Sequence, residues 1–455
     1  MDLIKRLNPS GKRLPLLKIS RNRRYLTSCG KPFFWLADTA WQLVSDLTRE
    51  EILYYMTTRL DQGYTVIQCM SMYPFQEWVP NAYGDYVFKS ADPRKPVEAY
   101  FRHLDYAIDL ANALGLYICI AATWGEKLQP RRPGNPFTFD RKTARKFGEY
   151  LGTRYRSRTN IIWIVVGDED PRGYEKDWSA MAEGLKKGSR GRHMITAHAA
   201  GKGVLRASSE FFNSEKWLDL NMYYSGHSWN VPSHAGTLAA YRNKPVRPVF
   251  DGEPRYENHP AFDTGAGFYT GGNRKLWDGV TRFNARQVRQ CAWWNLMAGA
   301  CGHTYGHHDV WQFNGSGNPP RTFALLPWHR AIQSKASVQM GYLRQFMESR
   351  KWWLLAPAPD LVVEGQGQGE RHIQAALASD GSFLMAYIPN AESIVLDVSG
   401  LKGKKLKTAW FNPQTAEWVK GRAAANRGTL RLAMPSVKNV ERDWALIVDA
   451  GGGGK

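Results

Sequence analysis

The chain of 455 residues contains no run of 18 or more uncharged apolar residues, so no transmembrane helix is expected. Cysteine is scarce. The five that occur (Cys29, Cys69, Cys119, Cys291 and Cys301) are scattered and form no CxxC pair. That spacing gives neither a zinc cluster nor a disulfide framework for so long a chain. Cys69 and Cys119 lie inside apolar runs and read as small core hydrophobes. No glycine-rich phosphate loop follows the first strand, which argues against a doubly wound nucleotide fold. No internal repeat is visible, and no zinc motif, long basic helix or RNP-type strand marks a nucleic-acid binder. The opening stretch has basic residues but no continuous apolar segment or small-residue cleavage site, so it does not read as a signal peptide.

Acidic residues are the scarcer sign of charge: 41 against 61 Lys and Arg, a formal net charge of +20. The excess is uneven. Residues 1–24 carry eight basic groups and one acidic group, whereas residues 356–455 are close to balance. A high positive potential suits a soluble surface or attraction to an acidic polymer such as an acidic polysaccharide. Apolar residues at 43% and charged residues at 22% exclude wholesale disorder. Trp is abundant, with 18 residues beside 21 Tyr and 19 Phe. Such enrichment is common where flat ligands, sugars above all, are stacked.

Short apolar runs alternate with amphipathic segments over the first 355 residues. Strands are expected at 33–37, 64–69, 116–121 and 160–166, then at 193–198, 218–223, 246–251 and 302–305. Helices are expected at about 47–60, where Thr48 and Glu51 form a capping box, and at 97–114, closed by Gly115. Others are expected at 141–156, 284–298 and 328–349. Eight strand–helix units in about 350 residues predict a (β/α)8 TIM barrel, an α/β fold, over residues 1–355 with a basic N-terminal arm. After the Ala356-Pro357-Ala358-Pro359 stretch, short strands with turn signals predict a C-terminal antiparallel β-sandwich domain over residues 356–455.

In such a barrel the site lies at the C-terminal ends of the strands. The residues just past each strand are Asp38, Thr39 and Trp41; Met70 to Tyr73; Trp124; Asp168, Glu169 and Asp170; His198; Tyr223, Tyr224 and His227; Asp251 and Glu253; and His303, Tyr305, His307, His308, Asp309 and Trp311. Carboxylates bond hydroxyl pairs and aromatic faces take the apolar side of a ring, so this composition fits a sugar. Carboxylates after strands four and seven face each other across a barrel mouth. Glycoside hydrolysis needs such a pair, one to protonate the leaving oxygen and one to attack or to activate water. Adjacent His307 and His308 point apart, and no further ligand pattern is visible, so no metal and no cofactor is expected.

The run FFWLADTAWQLVSDLTREE with GYTVIQCM resembles the opening of the apiosidase-type glycoside hydrolases, glycoside hydrolase family 140 and its relatives. NIIWIVVGDED resembles that family's fourth-strand motif, VFDGEPRYE its seventh-strand motif, and AWWNLMAGACGHTYGHHDVWQF its eighth unit. The stretch from FLMAYIPN to KTAWFNPQTAEW is similar to the small β-sandwich, named for collagen binding, that accompanies these barrels. The resemblance implies a retaining exo-glycosidase with Asp168 as general acid/base and Glu253 as nucleophile, and with Asp38, Trp41, Trp124, Tyr223 and Trp311 as subsite residues. Tyr73, His227 and His307 join the candidate substrate-binding set. Glu169, directly after Asp168, is a rival acid/base or a further substrate contact. Val166 stands where the family often has a glycine. The expected substrate is a plant pectic-type or other acidic saccharide. The alternative reading is a non-catalytic carbohydrate-binding protein on a barrel scaffold. A carbohydrate is the expected partner, with no nucleic acid and no membrane. Relatives work mostly in the periplasm or outside the cell, and nothing in the sequence sets an oligomeric state.

Overall fold

The computed structural model describes residues 2–73, 79–129, 138–199, 206–261, 280–316, 322–436 and 441–451. Eight parallel strands form the barrel: β1 (Trp35–Ala40), β2 (Val66–Met70), β3 (Tyr117–Ala121), β4 (Ile161–Glu169), β5 (Met194–Ala199), β6 (Asn221–Tyr224), β7 (Val249–Asp251) and β8 (Gly302–Tyr305). They neighbour one another in the order β5-β4-β3-β2-β1-β8-β7-β6, and the two-residue strand Arg206–Ala207 adds antiparallel to β6. Between β5 and β6 the ladder gives way to single bonds. The N–H of Asp219 donates to the Ile195 carbonyl at 2.9 Å, and Thr196 Oγ1 donates to the Leu220 carbonyl at 2.9 Å. These bring the sheet ends together into a nearly closed barrel.

The helices following each strand are α1 (Arg49–Asp61), α2 (Glu98–Ala113), α3 (Arg141–Arg154), α4 (Glu175–Ser189), α5 (Ser209–Phe212), α6 (Ser233–Arg242), α7 (Ala285–Met297) and α8 (Lys335–Glu348). The capping box is present at α1: Thr48 accepts from the Glu51 N–H and Glu51 reaches back to the Thr48 N–H. Asn284 and Gln287 do the same at α7. The helix expected at 328–349 is in fact two pieces, Trp328–Ala331 and α8. The carbonyl of Ile332, between them, is turned toward Arg59 and Gln62, which donate to it at 2.8 and 3.0 Å. A carbonyl claimed by side chains no longer sits in a continuous helical ladder. None of the helices among the described residues is long and apolar enough to cross a membrane.

Strand alternation sorts the core into two layers. Trp35, Ala37, Val66, Tyr117, Cys119, Ile162, Ile164, Met222 and Phe250 fill the barrel interior. Ile67, Cys69, Ile118, Ile120, Trp163 and Val165 face the helices. The N-terminal arm closes the far end of the interior: Leu14, Leu17, Ile19, Leu26 and Phe33 pack on the inner layer. Tyr117 donates to the Pro15 carbonyl at 2.6 Å, and the Arg23 and Arg24 side chains donate to the carbonyls of Val246 and Tyr241.

The C-terminal strands form two antiparallel sheets. β9 (Leu355–Pro357), β11 (Gln374–Ala378), β12 (Phe383–Ile388), β17 (Trp444–Gly451), β14 (Lys405–Phe411) and β15 (Trp418–Ala425) are neighbours in that order, and β10 (Val362–Glu364), β13 (Ser393–Asp397) and β16 (Thr429–Ala433) form the second sheet. β15 leaves no apolar run in the sequence: none of its residues is fully buried, and Lys420 and Arg422 are exposed. β12 is buried on both sides. Phe383, Met385 and Tyr387 face the barrel helices, and Leu384, Ala386 and Ile388 face the second sheet. Trp293 of α7 stacks on Tyr387, ring centroids 5.6 Å apart and 7° from parallel.

A buried ion pair fastens this contact. Arg289 of α7 and Asp443 are both fully buried, joined by Nε–Oδ2 at 2.8 Å and Nη2–Oδ1 at 3.0 Å, and Tyr387 and Gln414 also donate to Asp443. Removing one partner strands the other charge in the interior. Arg289→Ala is therefore expected to destabilise the chain by about 3–5 kcal/mol, read as a lowered urea midpoint, whereas Arg344→Ala, at a partly exposed pair with Glu348, is expected to cost under about 1 kcal/mol.

Candidate active site

The end of β4 builds one half of the site. Up to Val165 the strand alternates regularly. Val166 then adopts φ +69°, Gly167 φ +139° and Asp168 φ +50°. Pairing with β5 slips here: Val166 faces His198, but the next pair is Glu169 with Ala199. Two extra residues bulge out of the ladder and re-aim the side chains that follow. Gly167 lies against the Trp124 ring, where a Cβ would come within 2.3 Å of the indole. Val166 adopts its left-handed backbone without being glycine, a strain of about 1–2 kcal/mol for an L-residue. This is the position where the resembled family often has glycine.

The bulge separates the two neighbouring acids. Glu169 turns toward the start of the Gly125–Leu128 turn, so close that a Cβ on Gly125 would lie 2.3 Å from its Cγ. Asp168 faces the other way. One of its carboxylate oxygens, a ring nitrogen of His198 and a carboxylate oxygen of Glu253 all lie within 4.8 Å of one another.

The end of β7 builds the other half. Phe250 points into the barrel, and Asp251 points outward, where Ser225 Oγ donates at 2.6 Å and Asn295 Nδ2 at 2.9 Å. Burial pushes the Asp251 carboxyl up to about 7, against those hydrogen bonds. Gly252 passes over β6 at a point where a Cβ would lie 1.8 Å from the Met222 methyl, and Glu253 then enters the mouth.

Glu253 is almost fully buried, and both its oxygens are held. His198 Nε2 donates to Oε2 at 2.9 Å and His227 Nε2 donates to Oε1 at 3.0 Å. Burial alone would raise its pKa; the two imidazole hydrogen bonds reverse that and hold the carboxyl below the usual carboxylate range. His198 shows the converse. Burial lowers its affinity for a proton, but the bond to Glu253 and the charges of Glu253 and Asp168 raise it overall. Nδ1 of His198 lies 3.4 Å from the Asp168 N–H and accepts from it, so Nε2 is the nitrogen that carries the proton shared with Glu253.

Aromatic rings surround this group. Trp41 and Trp124 pack 4.8 Å apart and lie 5.5 and 5.2 Å from the His198 ring, and Tyr224 lies 5.1 Å from it. His227 is backed by Tyr256 at 4.6 Å and stacks on His259 at 3.7 Å. His259 meets His308 edge-on at 4.4 Å. His308 donates through Nε2 to the Thr322 carbonyl at 2.6 Å and accepts the Trp311 indole N–H on Nδ1 at 3.3 Å.

Of the sequence candidates, the structure thus brings together Asp168, Glu253, Trp41, Trp124 and His227, with Trp311 joined through the histidine stack. Four lie elsewhere. Asp38 is on the outer face of β1, fully buried against Arg59 Nε at 2.6 Å and accepting from Tyr55. Tyr223 is on the outer face of β6, its hydroxyl against Gly236 of α6. His307 caps a helical turn, Nδ1 accepting from the Asp309 N–H at 3.1 Å. Glu169 faces Gly125, as above. Tyr73 is buried just past β2. The corrections at Asp38 and Tyr223 have one cause: strand parity sends them to the helix layer, and the neighbours Thr39 and Tyr224 inward. Tyr256 and His259 were not expected here. The signal for them was proximity, since both lie within six residues of Glu253.

Residues 20–354 match the model of the family described as "Apiosidase-like, catalytic domain", and residues 356–449 match "Putative collagen-binding domain of a collagenase". No curated protein sequence matches the chain. Among solved structures, a protein titled "Glycoside hydrolase" is 28% identical, with a TM-score of 0.84 covering 96% of this chain and 97% of that one. A glycoside hydrolase family 5 protein from Bacteroides vulgatus is 27% identical, with a TM-score of 0.83 covering 96% and 95%. A family 5 mannosidase from Rhizomucor miehei shares the barrel fold at 12% identity, with a TM-score of 0.53 over 74% of this chain and all of that one.

Two measurements check the backbone and the charge of the site. Glycine at a regular buried strand position such as Val165 loses side-chain burial and costs about 2–4 kcal/mol. Val166→Gly is expected to cost about 1–2 kcal/mol less than Val165→Gly in urea unfolding, because it releases the left-handed strain. The raised Asp251 carboxyl contributes stability that is full below pH 4 and is lost as pH rises through about 7. Asp251→Asn is expected to flatten the stability profile between pH 4 and pH 7.

Proposed function

Because the chain belongs to the apiosidase-like catalytic domain family, we propose that it is a retaining exo-glycosidase with Glu253 as nucleophile and Asp168 as general acid/base. One observation carries this reading: two carboxylates, one past β4 and one past β7, approach within 4.8 Å at the C-terminal end of the barrel. Retaining enzymes hold their carboxyl groups about 5–5.5 Å apart, whereas inverting ones leave roughly 6.5–9.5 Å for a water.

The electrostatics support the division of roles. His198 and His227 keep Glu253 ionised and fix its direction, as a nucleophile requires. With Glu253 held as the ion, the acid/base role of the pair falls to Asp168, which supplies the proton in the first step. Asp168 gives it to the glycosidic oxygen as the Glu253 oxygen bonds the anomeric carbon and the leaving group departs. Water then attacks the glycosyl–Glu253 ester, Asp168 takes its proton, and the released sugar keeps its original configuration. Trp41 and Trp124 take the apolar side of the ring. A reacting pair this buried suits the end of a saccharide chain, hence exo action. The formal charge of +20 favours a pectic-type or other acidic saccharide through long-range attraction.

Glu253→Gln is expected to lower turnover of aryl glycosides on the order of 10³-fold or more while leaving the circular dichroism unchanged; undiminished activity overturns the reading. For Asp168→Ala, azide is expected to restore turnover on substrates with good leaving groups and to yield a glycosyl azide of retained configuration by NMR. Rescue of Glu169→Ala in its place would transfer the acid/base role.

A further inference from the structure

A second cavity, of about 360 Å³, lies where the barrel loops meet the sandwich. It is walled by Trp229 after β6, Arg255 after β7, His234 of α6, Trp294 of α7, and Glu370 and His372 at the edge of the sandwich. His234 and His372 stack at 3.9 Å and 10° from parallel, with the Trp294 ring edge-on at 5.1 Å. Burial and the neighbouring His372 and Arg255 push His234 down to about 3, so the stacked pair presents an uncharged flat face.

The polar groups of this wall are underused. Arg255 is 3% exposed, yet its Nε and Nη2 reach only the carbonyls of Ser228, Trp229 and Val231, and Nη1 has no partner. His234 Nδ1 and Glu370 Oε1 are also buried without partners. Three unpartnered polar atoms around one cavity are costly unless something polar enters it. A buried guanidinium donates, a carboxylate accepts, and flat rings cover apolar C–H groups. That combination matches a ring bearing hydroxyls on its edge and C–H on its face. The cavity also falls in the size range of small-molecule sites.

We propose that this cavity is a second carbohydrate site, taking one hydroxylated sugar ring of the saccharide whose end enters the barrel mouth. It shares two loops with the reacting pair. The loop bearing Trp229 also carries His227, which holds Glu253, and Arg255 follows Glu253 by two residues. The proposal rests on the chain acting on saccharides, and it gives the sandwich a part in holding the substrate beyond the bond that is cut.

Calorimetric titration of the full chain carrying Glu253→Gln with pectin-derived oligosaccharides of three to six units tests it. Adding Glu370→Gln or His372→Ala is expected to weaken binding about 5–10-fold. In the active chain the same changes are expected to raise KM for these oligosaccharides equally, with kcat/KM on aryl monoglycosides unchanged. Should His372→Ala lower the melting temperature, Glu370→Gln, whose Oε1 bonds nothing, supplies the same reading. Binding unchanged by both substitutions, or no binding of any oligosaccharide, overturns the second site. Oligosaccharide binding that the variants weaken, in a chain inert toward every glycoside, would keep the site and overturn the glycosidase reading instead.

Discussion

A residue on a closed barrel strand has two destinations only, the interior or the helix layer, and the rest of this structure follows from that choice. Asp38 and Asp251 sit at strand ends like Asp168 and Glu253, but the pleat turns them outward. There, one is bound to Arg59 and Tyr55, and the other to Ser225 and Asn295. These bonds hold the strand ends to the layer around them. Asp168 shares the inward parity of Ile162 and Ile164, and the bulge at Val166 and Gly167 sets the angle at which it leaves the strand. Gly167 and Asp168 are left out of the ladder with β5, so the acid is aimed by its own left-handed backbone rather than by the pleat.

The barrel is legible in the sequence because buried parallel strands leave near-continuous apolar runs and because helix starts carry local chemistry, as Thr48 with Glu51 shows. The sandwich strands that alternate buried and exposed residues or lie wholly inside are legible for the same reason. What escapes is decided at a distance. The break before α8 comes from Arg59, some 270 positions away in the chain, and β15 has too polar an outer face to announce itself. The carboxylate pair could be read from strand order, but parity could not, since strand boundaries uncertain by one residue exchange Tyr223 for Tyr224. The histidine stack behind Glu253 depends on loop paths that no local pattern encodes.

The two compositional excesses also find places. Many of the barrel's arginines are spent on its outside: Arg154 joins Glu98 and Asp105, Arg158 joins Asp109, and Arg141 and Arg145 tie α3 to α4. Much of the tryptophan is packing material, with Trp35, Trp163, Trp178, Trp293 and Trp328 among the largest fully buried side chains. Among the described residues, Trp41, Trp124 and Trp311 reach the mouth.

The N-terminal arm has a consequence for how the molecule is made. Its two arginines dock on carbonyls 223 and 217 residues further along the chain, and its apolar side chains seal an interior that exists only once the barrel is complete. During synthesis at about 5–20 residues per second, the arm waits many seconds for the carbonyls it docks on. A stretch made before every barrel strand is therefore among the last parts of the barrel to settle. Its eight positive charges keep it hydrated in the meantime, so that the plug stays out of the barrel until there is a barrel to close.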